Sequence, residues 1–104
     1  MNKYRNIKTV VDGITFDSRK EADRYKQLLL LQRAGIIDHL QLQVPYTLVP
    51  KNKNGREVKY IADFVYWDLE NKREVIEDVK GMRTDVYKLK KRLMAELGHA
   101  ITEV

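Results

Sequence analysis

The chain has no cysteine, which excludes disulfide bridges and thiolate-bound metal. It has no apolar run of membrane-spanning length and no repeat, low-complexity tract or linker, so a single continuous domain is expected over residues 1–104. The start Met1-Asn2-Lys3-Tyr4-Arg5 lacks the apolar core of an export signal, and a cytoplasmic location is the default expectation. A hydrophobic fraction of 43% beside 34% charged residues is enough for one small core and argues against disorder.

What the chain has in excess is basic charge. Twenty Lys and Arg stand against fifteen Asp and Glu, a net charge of +5, which favours a polyanionic partner without requiring one. The excess is concentrated between Arg83 and Arg92, where Arg83, Lys88, Lys90, Lys91 and Arg92 face the single acid Asp85. An ordinary solvated helix face is the plain alternative for that run.

The pattern of elements can be read from caps, turns and periodicity. Val10 to Ile14 form an extended arm or short hairpin around Gly13. Ser18-Arg19-Lys20-Glu21 has the form of a capping box and Gly35 a stop. Between them Ala22, Tyr25, Leu28 and Leu29 recur at helical spacing, predicting a helix from about residue 18 to 34. Leu40 to Leu48 alternates as a half-buried strand, and Pro45 places it at a sheet edge. Asn54-Gly55 marks a hairpin turn. Strands over roughly 57–67 and 73–80 follow, reversing near Asn71. Thr84 then caps a helix whose Val86, Leu89, Leu93 and Leu97 form one apolar stripe facing the core, stopped by Gly98. A short strand from Ala100 to Val104 closes the chain. The expected class is α/β of the α+β type, an α-β-β-β-α-β core with a central mixed sheet flanked by two helices.

Three acid-x-lysine triplets occur, Glu57-Val58-Lys59, Glu70-Asn71-Lys72 and Asp78-Val79-Lys80, where about one or two would arise by chance. Only the third lies inside an apolar strand preceded by another strand bearing an aspartate, Asp63. Residues two apart on a strand share a face, so Asp78 and Lys80 point together. A turn near residues 70–71 gives pairing sums of about 141 and sets Asp63 opposite Asp78. Directly opposed like charges destabilise a sheet unless a cation lies between them. A divalent metal site is the expectation, against the plainer reading of a structural ion cluster at the sheet rim. Glu77 alternates out of phase and becomes the candidate only if the register slips by one. His39 and His99 lack partners at metal-ligand spacing, and Trp67 fits either the core or an exposed anchor.

Together the element order and the residues Asp63, Asp78 and Lys80, with Glu21 on the first helix, resemble the PD-(D/E)XK nuclease superfamily. Phe16-Asp17-Ser18-Arg19-Lys20-Glu21-Ala22, Tyr60-Ile61-Ala62-Asp63-Phe64 and Glu77-Asp78-Val79-Lys80-Gly81 look like small phage-encoded members of it. One departure is Ala62, where the superfamily often carries proline. The resemblance implies a Mg²⁺-dependent endodeoxyribonuclease, with Mn²⁺ as a substitute. Asp63, Asp78 and the Val79 carbonyl would bind the ion. Glu21 would be a further ligand, or else only a helix cap. Lys80 would orient or deprotonate the attacking water, or stabilise the transition state. Thr84, Lys88, Lys91 and Arg92 would contact phosphates of duplex or branched DNA. So short a chain implies structure-specific cutting, as in Holliday-junction resolvases, with a homodimer as corollary and the bacterial host cytoplasm as location. The rival from another class is a non-catalytic nucleic-acid-binding or adaptor protein on the same fold.

Overall fold

The computed structural model describes residues 7–79 and 83–104. Asp12 and Gly13 both have positive φ, 52° and 78°, the conformation of a tight two-residue hairpin turn. They join β1 (Thr9–Val11) to β2 (Ile14–Phe16). The helix α1 (Arg19–Arg33) starts at Ser18, whose side chain accepts from the Glu21 N–H at 3.1 Å. Three antiparallel strands follow: β3 (Ile37–Val49), β4 (Val58–Asp68) and β5 (Arg73–Asp78). Then come α2 (Asp85–Glu96), capped by Thr84, and β6 (Ile101–Glu103), which runs parallel to β5. The sheet order is β3-β4-β5-β6, so β3 with Pro45 is an edge strand. The mixed α+β architecture matches the expected class.

Residues paired directly across strands share a face. Phe64 pairs with Glu77 and Tyr66 with Val75, whereas Val65 pairs with Ile76. One face carries Phe64, Tyr66 and Val75, packed against Ala22, Tyr25 and Leu28 of α1 together with Phe16 and Ile37. The other carries Val65 and Ile76, packed with Tyr60, Ala62 and Met94 of α2. The two helices therefore cover opposite faces. Tyr60 and Ala62 share the parity of Phe64 yet join the cluster of Val65, so the alternation changes phase at Asp63. Across from Asp63, Gln43 has φ +53°, and the register passes from Leu42↔Phe64 to Val44↔Ala62 without pairing Gln43.

The expected phase of α2 needs correction. Val86, Leu89 and Leu97 are exposed, at 61%, 58% and 52%. Met94 is fully buried instead, and Tyr87, Lys90, Lys91 and Leu93 are half-buried. The inward stripe is Tyr87, Lys90, Lys91 and Met94, an i, i+3, i+4, i+7 set. Lysine stems cover apolar surface while their charged ends reach solvent, so basic residues occupy positions that an apolar count would assign to leucine.

Charge is buried on the α1 face. Glu77 is 1% exposed, and the Arg24 guanidinium donates to both its oxygens, Nε to Oε1 at 2.8 Å and Nη2 to Oε2 at 2.6 Å. The Tyr66 hydroxyl also donates to Oε2. This forked pairing accounts for Glu77 wholly, as a tie between α1 and the sheet centre.

Candidate functional site

Strands β4 and β5 separate just past Phe64↔Glu77, the pair that ends their ladder toward Asp63 and Asp78. The sum of 141 holds for each of their pairs, so one step further stand Asp63 and Asp78, at the point where the strands part. A side chain replaces the ladder there: Asp63 Oδ2 accepts from the Val79 N–H at 2.8 Å. Asp63 Oδ1 lies 3.4 Å from Gln43 Nε2, which also donates to Glu21 Oε1 at 3.2 Å. The positive φ of Gln43 thus serves to aim one amide at two carboxylates on different elements.

Glu21 is buried, at 7% exposure. Burial pushes its carboxyl up to about 7, with the nearby Asp63 charge and a hydrogen bond between the two groups acting in the same direction. Its backbone N–H caps on Ser18, but its carboxyl is turned toward Asp63 and Gln43. Asp78 is half-buried, and burial raises its carboxyl as well, opposed by the bond from the Tyr60 hydroxyl at 2.8 Å and assisted by the charges of Asp63 and Glu103. Asp63 is therefore the centre of the group: Glu21 feels it from the α1 face and Asp78 from the α2 face.

Among the described residues, no set of three or more His, Asp or Glu side chains stands ready to enclose an ion. The donors that do face one another are hard carboxylate oxygens; the charge of Asp63 raises both Glu21 and Asp78, and Lys91 offsets Asp78 only in part. Mg²⁺ keeps most of its waters and is commonly held by one or two carboxylates plus substrate phosphate. The Asp63–Asp78 pair, with Glu21 behind it, fits that ion in donor chemistry without forming a closed cage. Lys80, the remaining member of the expected set, lies outside the described residues.

The expected phosphate contacts are dispersed. Thr84 is the helix cap, its hydroxyl accepting from the Tyr87 N–H at 3.0 Å. Lys88 and Arg92 are exposed. Lys91 is committed: its Nζ lies 3.1 Å from Glu103 Oε1, which Arg83 also reaches at 2.6 Å, while Tyr87 donates to Oε2 at 2.9 Å. Lys91, expected at a phosphate, thus fastens α2 to β6, whereas Lys88 stands exposed. Basic groups do gather elsewhere around the parting strands. Arg19, Lys20 and Arg24 line a cavity of about 400 Å³ that includes Val79. Lys59 and Lys90 line another, of about 350 Å³, that includes Asp78.

Gln43 and Arg24 were not foreseen from the sequence. No local signal marks a glutamine with positive φ, but an arginine one helical turn past Glu21 and a glutamate inside Val75-Ile76-Glu77 are each anomalous enough to suggest a pair. His99 packs its ring 5.2 Å from Tyr46, and His39 lies 3.3 Å from Asp38 at the surface. Trp67 is exposed at 41%.

Fold and site define a small α+β domain with a carboxylate group at the mouth of a mixed sheet. The chain belongs to a family described as a protein of unknown function, DUF1064, whose model matches residues 1–100. No curated protein and no solved structure matches it. Among the described residues, no helix is long and apolar enough to cross a membrane.

Proposed function

We propose that this protein is a divalent-cation-dependent nuclease that hydrolyses phosphodiester bonds of DNA, with structure-specific cutting in phage recombination or repair. The observation that carries the reading is the convergence of Glu21, Asp63 and Asp78 from a helix and two strands at the place where the sheet opens. A protein that only binds a polyanion gains nothing from carboxylates there. Burial and the charge of Asp63 raise the other two, and shifted carboxylates gathered in one cleft are the mark of a candidate functional site.

Asp63 and Asp78 would hold Mg²⁺, or Mn²⁺ in its place, with the Val79 carbonyl and Glu21 as further oxygen donors. When bound, the ion would supply an activated water and offset charge gathering on the phosphate oxygens. The chain's own groups act on orientation. The Val79 N–H and the Gln43 amide fix the two oxygens of Asp63, and the Tyr60 hydroxyl fixes Asp78. Lys80 is assigned the water or the transition-state charge on the strength of the Asp-x-Lys pattern. The basic cavities on both sides of the opening suit the flanking phosphates. Cutting two strands of one branched substrate would call for two copies of the chain.

Incubating the purified protein with duplex, single-stranded and branched DNA in Mg²⁺ or EDTA tests the reading. Cleavage confined to Mg²⁺ is expected. Binding without cleavage of any substrate would favour the non-catalytic adaptor.

A further inference from the structure

The cavity beside Asp78 has two kinds of wall. Lys59 and Lys90 supply its charge, and Ile61 and Val86 its apolar rim. Ile61 is 50% exposed and Val86 61%, so both leave apolar surface open beside the two lysines. The two tyrosine hydroxyls nearby are already used, Tyr60 on Asp78 and Tyr87 on Glu103. Lys90 is half-buried, and it forms no ion pair among the described residues, whereas its neighbour Lys91 is bound to Glu103. The contact of Lys59 with Glu57, at 3.7 Å between half-exposed groups, is weak. What remains for an incoming molecule is two cations next to Asp78 and two aliphatic side chains facing water.

That combination does not suit a fully paired duplex, which offers phosphates and groove edges but keeps its base faces stacked. It suits a nucleotide whose base has left the stack. The phosphate would meet Lys59 and Lys90 while the exposed base face packs on Ile61 and Val86, as an extruded base packs against apolar side chains. The volume, about 350 Å³, lies in the range of small-ligand sites. We propose that this cavity holds an unpaired nucleotide adjoining the phosphate to be cut, so that the preferred substrate is DNA with unpaired bases at the cutting position, such as a flap or branch. The proposal rests on the nuclease reading for the place of the cut.

The test is fluorescence anisotropy with labelled duplex and flapped DNA in Ca²⁺, run beside cleavage in Mg²⁺. The wild type should prefer the flap by about tenfold, comparable to what covering one aliphatic side chain supplies. Ile61→Ser with Val86→Ser, both at exposed positions, should bring that ratio close to one while leaving duplex affinity unchanged. Lys59→Ala with Lys90→Ala should weaken both DNAs and flatten the salt dependence by about two charges. A wild type without preference, or an apolar double variant that keeps it, overturns the cavity assignment. Flap preference lost in the apolar variant, in a wild type that never cuts, would uphold the cavity and overturn the nuclease reading. A wild type that neither binds nor cuts overturns both.

Discussion

In metal-free buffer, Glu21 should make the protein less stable as pH rises. Its carboxyl is pushed up to about 7 in the folded chain from an ordinary 4.5. Below pH 4.5 it is protonated whether the chain is folded or not, and the favourable state is fully present. Between 4.5 and about 7 the unfolded chain releases the proton while the folded chain retains it. The stability from the protonated form is therefore lost through that window, up to about 3 kcal/mol in all. Glu21→Gln keeps the shape and the neutral state and removes the titration. In urea unfolding with EDTA, the wild-type midpoint should fall between pH 5 and pH 8 and the variant's should fall much less. At pH 8 the variant should be the more stable protein, by roughly 1–3 M in midpoint for a slope of about 1–3 kcal/mol/M. Added Mg²⁺ should recover the wild type at pH 8, since binding only to the folded chain stabilises it. If the variant is less stable at pH 8, or loses as much between pH 5 and pH 8 as the wild type, the Glu21 carboxyl serves only its helix end, as a capping residue would.

Arg24→Met should be the most damaging single change in the pair with Glu77, costing about 3 kcal/mol because a buried carboxylate is left unpaired. Adding Glu77→Gln to it should restore part of the loss in thermal melts. Thr84→Ala should cost about 1 kcal/mol by removing the α2 cap, with cleavage of any substrate at low temperature little changed. Lys91→Ala should lower stability by loosening α2 from β6, whereas Lys88→Ala, at an exposed position, should leave the melting temperature within experimental error. Comparing the two melts checks the phase of α2.

Much of this fold was legible because local chemistry and tertiary structure agree. Ser18 and Thr84 cap the helices they precede, Gly98 ends α2 with φ +88°, and the reversal near Asn71 set the 141 register that brings Asp63 and Asp78 to one place. Pro45 marked the edge strand because an edge tolerates a missing donor. The phase of α2 was misread because helical periodicity finds an apolar stripe without saying which stripe meets the sheet. Val86, Leu89 and Leu97 satisfy the period and face solvent, and Tyr87 and Met94 pack inward between lysine stems. The Arg24–Glu77 pair joins residues 53 apart in sequence, a separation at which no window of local pattern speaks. Gln43 was invisible for a different reason. Its function depends on a backbone conformation that glutamine rarely adopts, so nothing in its type or spacing announces it.

The most direct measurement is the single-turnover rate of DNA cleavage by the wild type and by Asp63→Asn at saturating Mg²⁺. Asp63 lies between Glu21 and Asp78 and accepts the Val79 N–H, a bond that asparagine can still accept through its carbonyl oxygen, so the variant should fold. If these carboxylates hold the catalytic cation, the wild type cuts and the variant loses about a thousandfold or more, the scale on which electrostatic groups of a site act. An Asp63→Asn protein that cuts at the wild-type rate would contradict the assignment.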